Sequence, residues 1–172
     1  MLGTLVGTMI AVPLLVWVLT ALRSQETSVR SSDRANAQAL LRGYLADDVA
    51  AARAVARTGT DCPGGESAGG TVVLSMLGAG VAGVRTNYVV AGVSGLDPVL
   101  WRRVCGTDGA LADEVAIARK LVAPDGGWTQ TVVCSARADV GPDECGQVEM
   151  TFRVDGAVAA TVTASRRVGP PR

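Results

Sequence analysis

The hydrophobic pattern of this chain begins with a long uncharged run over residues 1–22, which ends at Arg23. A helix that crosses a bilayer needs about 20 predominantly apolar residues, and a helix satisfies its own backbone hydrogen bonds in lipid. Trp17 lies near the end of the run, where an indole favours the interface between lipid and water. The pattern predicts a transmembrane helix over residues 1–22, kinked at Pro13, which has no backbone N–H to donate. The residues expected to face lipid or neighbouring helices are Leu5, Ile10, Pro13, Leu15, Trp17 and Leu19.

A second pattern follows over residues 23–57, which contain no Pro and only one Gly. Apolar residues recur there at spacings of three and four, the period of an amphipathic helix with one apolar face. We therefore expect the membrane helix to continue as a stalk that packs this face on a folded domain and ends near Gly59, a natural left-handed terminating residue. The apolar face consists of Ala37, Leu41, Tyr44, Leu45, Val49, Ala52 and Ala56, and its main predicted packing residues are Leu41, Tyr44, Leu45 and Val49.

Beyond residue 58 the pattern changes to short runs with β-branched residues, separated by turns that contain Gly, Pro or Asp. Residues 148–154 alternate apolar and polar side chains, which is typical of a strand with one buried face, and the Asp155-Gly156 dipeptide favours a tight hairpin turn. Residues 110–123 fit a helix by composition and a strand by Val115 and Ile117, so both readings stay open. The predicted strands are residues 71–77, 84–91, 99–105, 129–134, 146–154 and 157–166.

A long helix followed by short strands predicts an α+β fold. An antiparallel sheet can bury one face and expose the other, and the amphipathic half of the helix can cover the buried face. We expect a transmembrane helix over 1–22, a helical stalk over 23–57, a small antiparallel β domain with one sheet over 58–167, and a flexible tail over 168–172.

One glycine-rich segment, residues 78–83, matches the G-x-G-x-x-G pattern of dinucleotide-binding proteins. That pattern binds a pyrophosphate only when a helix begins there inside a βαβ unit. Here a second strand pattern follows at residue 84 and leaves no room for a crossover helix. A glycine-rich connection within a hairpin is the better interpretation.

Composition argues against most enzyme classes. The chain has no His, so Ser-His-Asp and Cys-His nucleophiles and His-containing metal sites are excluded. Lys120 is its only Lys, and no Ser lies at a telling spacing from it. The 16 basic and 16 acidic residues balance, which argues against a nucleic-acid-binding surface.

Adjacent acidic residues at 47–48, 113–114 and 143–144 are interpreted as solvated charges, with a calcium site in residues 139–144 as an alternative. We predict no enzymatic activity, no cofactor and no small-molecule substrate.

The four cysteines contain no Cys-x-x-Cys pair, which argues against a zinc knuckle or a thioredoxin motif. An even number beyond a membrane helix favours an oxidising compartment and two disulfides. Cys134 and Cys145 flank a polar loop between two strand patterns, so they are the first expected pair, and Cys62 with Cys105 is the pair that remains. Two other pairings, and free buried thiols in a cytosolic protein, stay open.

These features together resemble a type IV pilin or a type II secretion pseudopilin. Residues 39–53 (ALLRGYLADDVAAAR) are similar to the end of the stalk in minor pseudopilins of the J type, and residues 84–105, with Tyr-Val-Val and Leu-Trp-Arg-Arg-Val, are similar to the hairpin that follows it. The resemblance spans nearly the whole chain through loose motifs. It implies a structural subunit that assembles through its N-terminal helix with other pilin-like subunits, in the cytoplasmic membrane, with its C-terminal domain extracytoplasmic.

The N-terminus departs from that family. Family members begin with a basic leader, a Gly cleavage site and Phe-Thr-Leu-x-Glu, whereas residues 3–7 here are Gly-Thr-Leu-Val-Gly, with no aromatic residue and no Glu. We expect Met1 to be an internal methionine of a longer helix.

Two alternatives remain. One is a single-pass anchored extracytoplasmic binding domain unrelated to filaments. The other is an exported protein whose apolar run is a cleaved signal peptide, although the run lacks a basic n-region.

Overall fold

The structure is a computed structural model that describes residues 2–64, 69–78, 83–92, 97–125, 127–135 and 145–166, without the side chains of 2–13, 129, 130 and 159. The chain forms two compact units, Met1–Asp33 and Arg34–Arg172. Helix α1 spans Leu2–Ala51 and contributes to both units. The α+β fold predicted from the sequence is therefore present, with a long N-terminal helix and antiparallel sheets.

In the first unit, α1 exposes a series of large apolar side chains from Leu14 to Leu22. The predicted membrane residues Leu15, Trp17 and Leu19 are 65%, 71% and 49% exposed. The predicted residues Leu5, Ile10 and Pro13 lie outside the described side chains. Over the part of the chain that was described, no helix meets the length and apolarity needed to cross a membrane.

Helix α1 ends at Ala51, six residues before the predicted end of the stalk at Arg57. Ala54–Ala56 instead forms the short strand β1, antiparallel to the next strand, with Val55 opposite Met76 and fully buried. The backbone N–H of Arg53 donates to the carbonyl of Leu77 at 2.8 Å. Residues 54–56, which were predicted to be helical, therefore form a strand, because pairing with β2 buries Val55 and also satisfies the backbone hydrogen bonds of this segment.

Two sheets follow, where one was predicted. The first is five-stranded in the order β1-β2-β3-β4-β5, and the second is three-stranded in the order β6-β7-β8, with every pair antiparallel. A short 3₁₀ helix, Trp128–Thr131, precedes β6. The strands are β2 Thr71–Leu77, β3 Arg85–Ala91, β4 Val99–Cys105, β5 Leu111–Ala118, β6 Val132–Ser135, β7 Gln147–Val154 and β8 Ala157–Ser165. The ambiguous segment is thus the strand β5, paired along its length with β4.

The glycine-rich segment connects β2 and β3, which pair antiparallel. The N–H of Gly78 donates to the carbonyl of Val84 at 2.9 Å, which closes the hairpin on either side of residues 79–82. Those four residues lie outside the described structure. The antiparallel pairing excludes a βαβ unit at this place, so the hairpin interpretation is confirmed.

The main core of the second unit lies between the C-terminal part of α1 and one face of each sheet. The predicted packing residues Leu41, Leu45 and Val49 are at most 2% exposed, and Tyr44 packs at the border of the same core. A smaller cluster occupies the opposite face of the five-stranded sheet, around Trp101 and Val89.

Candidate functional site

The apolar segment of α1, which we define as residues 14–19 with Leu22, is the first candidate site. Its seven side chains are between 49% and 71% exposed. Six consecutive helical residues extend over more than one turn at 3.6 residues per turn, so apolar side chains point in every direction around the helix axis. A helix that is apolar on all sides is normally buried in a core or in lipid. This segment therefore presents a surface suited to lipid or to other apolar helices.

A second candidate is a charged cluster on the face of the sheet that α1 covers. Strand β4 alternates its side chains, so Leu100 and Arg102 point towards α1 while Trp101 and Arg103 point to the opposite face. Arg102 binds the carboxylate of Asp48 on α1 through two hydrogen bonds, both 2.7 Å long, from Nε and Nη2. The hydroxyl of Tyr88 donates to the same carboxylate at 2.9 Å.

Asp48, Arg102 and Tyr88 form the Asp48 cluster, and their environment keeps Arg102 charged and Tyr88 protonated. The guanidinium of Arg102 lies 4.9 Å from the centre of the Tyr44 ring and 3.6 Å from a carboxylate oxygen of Asp113. The hydrogen bond to Asp48 raises the pKa of Arg102, so the guanidinium stays charged. Burial, followed by the negative charge of Asp48, raises the pKa of Tyr88 far above its usual value. Tyr88 therefore remains a neutral donor, and the cluster fixes the stalk to the sheet.

A third candidate lies on the opposite face, around the side chain of Arg103, which is fully buried. Arg103 donates to Glu114 on β5 at 2.7 Å and to Asp61 in the loop after β1. The disulfide between Cys62 and Cys105, with Cα atoms 5.6 Å apart, joins that loop to the same strand. The Arg103 cluster and this disulfide thus hold the loop on the sheet.

The same loop makes a close approach to the sheet at Gly59. A Cβ at this position would lie 2.6 Å from the Cβ of Ser75, so only Gly fits without movement of the backbone. The carbonyl of Thr60 then accepts hydrogen bonds from Asn87 at 2.9 Å and Arg85 at 3.0 Å. Gly59 was predicted to end the helix, and the structure gives it a different role, as the contact point of a loop.

The two disulfides pair the cysteines that the loop argument favoured. Cys134 and Cys145 join β6 to the beginning of β7 across a sequence separation of 11, and Cys62 and Cys105 are separated by 43. The alternative of free buried thiols is wrong, because all four cysteines are paired.

The interpretation of adjacent acidic residues as solvated charges holds for some of them only. Asp47 is exposed and Asp113 is 59% exposed, but Asp48 and Glu114 are 13% exposed, and they bind the half-buried Arg102 and the buried Arg103. The pair at 143–144 and the calcium alternative at 139–144 lie outside the described residues. Across the ranges that are described, no three His, Cys, Asp or Glu side chains lie together as a metal site would require.

The sequence reasoning did not identify Arg102 and Arg103 as site residues. The sequence feature that marks them is a pair of adjacent arginines inside a strand of apolar residues. Side chains alternate along a strand, so one arginine lies on each face of the sheet, and a charge removed from water there needs a carboxylate partner. The Asp48 and Arg103 clusters hold the stalk and the loop after β1 on the sheet, and the side chains described in them do not place a nucleophile next to a base. Comparison of the chain with protein-family models, curated proteins and solved structures finds no match.

Proposed function

We propose that this protein is a minor pilin-like structural subunit of a type IV pilus or a type II secretion-type filament, which assembles through its N-terminal helix. In this proposal the apolar segment associates with the helices of other pilin-like subunits and with lipid of the cytoplasmic membrane. The disulfide-containing domain is extracytoplasmic and presents its loops to partners.

The observation that carries the proposal is the exposure of the apolar segment on all sides of α1. Seven large apolar side chains are 49–71% exposed in a helix whose later residues are buried in a domain core. A patch of this kind marks an interaction surface on a soluble protein or a contact with a membrane. The long helix joined to a small antiparallel domain and the two disulfides are consistent with this role.

A second candidate is a single-pass anchored extracytoplasmic binding domain, in which α1 is a passive tether. The sequence over residues 3–7 favours it, because the family's Phe and Glu are missing there. Leu15→Arg would disrupt anchoring under both proposals and does not separate them.

Photo-crosslinking in the native host separates the two. A benzophenone amino acid in place of Trp17, which is 71% exposed in the apolar segment, is activated in intact cells. Crosslinks to the apolar helix of another pilin-like protein support the filament subunit. Crosslinks to lipid alone contradict it and leave the tethered domain.

Val29, which is 57% exposed and lies outside the apolar segment, is the matched control position and is expected to give no such helix crosslink. Reading the coding DNA in frame upstream of Met1 is an independent test. A basic leader followed by Gly and Phe-Thr-Leu-x-Glu supports the filament subunit, and a stop codon close to Met1 favours the tethered domain.

A further inference from the structure

The two disulfides join cysteines that follow each other in the chain. The short-loop disulfide, Cys134–Cys145, has a sequence separation of 11, and the long-loop disulfide, Cys62–Cys105, has a separation of 43. The two closed loops do not overlap, because the long loop ends before the short loop begins. Each disulfide can therefore form whether or not the other is present.

Chain entropy favours these pairs before any folding takes place. The cost of closing a flexible loop of n residues rises as (3/2)RT ln n, so the chance that two cysteines meet falls with about the 3/2 power of their separation. The competing pair nearest in sequence is Cys105 with Cys134, 29 residues apart. It is expected to meet about four times less often than the pair of the short-loop disulfide. Over all pairs of the four cysteines, roughly 70% of first disulfides are expected to be native.

Burial of the long-loop disulfide requires that pairing comes before folding. Cys62 and Cys105 are 4% and 1% exposed, and the ion pair between Arg103 and Asp61 holds the loop beside them on the sheet. Thiol–disulfide exchange needs contact between the attacking thiolate and a sulfur atom. A catalyst therefore reaches these two cysteines only before the loop docks on the sheet.

We propose that this chain is the substrate of a thiol–disulfide oxidase that acts on the unfolded chain, pairs Cys134 with Cys145 first, and needs no disulfide isomerase. Once that pair has formed, Cys62 and Cys105 are the only cysteines left to pair. The proposal goes beyond the function proposed above and holds for both candidates, since both place the domain outside the cytoplasm, where disulfides form.

The same exchange chemistry forms each disulfide. A cysteine thiolate of this chain attacks the reactive disulfide of the oxidase, which gives a mixed disulfide and one oxidase thiol. The second cysteine of the pair, as its thiolate, then attacks the sulfur of the first. This step forms the disulfide of this chain and releases the oxidase as a dithiol. Two electrons and two protons per disulfide thus pass from this chain to the oxidase.

Oxidation of the full chain tests the order of pairing. The chain is reduced and unfolded in urea, diluted into detergent with oxidised glutathione as the oxidant, and quenched with acid at intervals for peptide mass spectrometry. Cys134–Cys145 is expected in more than half of the earliest molecules with one disulfide, and added protein disulfide isomerase is expected to change the native yield by less than twofold. A first disulfide that joins Cys105 to Cys134 in most molecules, or a yield that rises more than twofold with the isomerase, would overturn the proposal.

Two double variants test the entropy argument without any need to fold. Cys62→Ser with Cys105→Ser retains only the short-loop pair, and Cys134→Ser with Cys145→Ser retains only the long-loop pair. In urea, the glutathione adduct of the first variant is expected to close its disulfide about eight times faster than that of the second, from separations of 11 and 43. Equal closing rates would contradict the proposed order.

Discussion

Replacing Asp48 with Asn tests whether the charged cluster attaches the stalk to the sheet. The carboxylate accepts two hydrogen bonds from Arg102 and one from Tyr88, and the side chains of Asp48 and Arg102 are 13% and 14% exposed. Asn removes the charge with little change in volume and cannot accept all three bonds with the same strength. The guanidinium of Arg102 then keeps only Asp113, at 3.6 Å, as a charged partner among the described contacts.

The expected loss of stability follows from these contacts. Removing one partner of a buried ion pair costs about 3–5 kcal/mol, and partial solvent access places this site at the lower end. We expect Asp48→Asn to lower the free energy of unfolding by about 3 kcal/mol and the melting temperature by roughly 10 °C. The double-mutant cycle with Arg102→Gln is expected to give a coupling energy of about 2 kcal/mol.

Denaturant unfolding of the full chain in detergent, monitored by near-UV circular dichroism, measures these changes. Asp47→Asn is the matched control, because Asp47 is the neighbouring residue and is exposed. We expect it to change the stability by less than about 0.5 kcal/mol. Equal stability of the two variants would refute the argument that this cluster holds the stalk on the sheet.

Three further predictions concern the same domain. Tyr88→Phe removes a phenol whose pKa is raised by burial. Because the unfolded phenol ionises near pH 10 while the folded one stays protonated, this residue lowers the wild-type stability above that pH by up to ~1.4 kcal/mol per pH unit. Denaturant titrations at several pH values should show that the variant lacks this pH dependence. Leu45→Ala, at a position that is fully buried, is expected to destabilise the domain by about 2–5 kcal/mol in thermal unfolding; a loss below 1 kcal/mol would contradict its place in the core. Cys62→Ser with Cys105→Ser opens a loop of 43 residues and is expected to cost about 4 kcal/mol by the chain-entropy estimate. An unchanged denaturation midpoint would contradict this contribution of the disulfide.

The parts of the fold that depend on local periodicity could be predicted from the sequence. The spacing of Leu41, Leu45 and Val49 identified the buried face of α1, since a helix repeats every 3.6 residues whatever it packs against. Strand β4 was predicted with its observed bounds, because its apolar residues lie between two clear turns. The disulfide partners followed from the short loop between Cys134 and Cys145.

Features that depend on long-range pairing could not be predicted in this way. Residues 54–56 continue a helical spacing, yet they form β1 because β2 offers them backbone partners and a buried place for Val55. The division into two sheets likewise depends on which strands pair, and no local sequence pattern shows that β5 and β6 belong to different sheets.

Arg102 and Arg103 show the same limit in the candidate sites. Arginine is ordinarily a surface residue, yet Arg103 is buried and Arg102 half-buried, and each binds a carboxylate from a distant segment. The partners Asp48 and Asp61 lie 54 and 42 residues away from them in the chain. Alternation along a strand predicts that adjacent arginines point to opposite faces, but it does not identify the carboxylates that they bind.

The apolar segment of α1 leaves a large free energy of apolar burial unused within this chain. Burial of a large apolar side chain contributes about 1.5–3 kcal/mol, and the seven side chains of the apolar segment are 49–71% exposed. Covering the exposed part of these side chains would therefore contribute roughly 6–12 kcal/mol, which is similar to the whole stability of a typical domain. Residues 41–49 of the same helix already obtain this stabilisation from the sheets. We expect so large an exposed apolar surface to be covered when the protein works, and under the two functions proposed above the covering molecule is either a pilin-like helix or lipid.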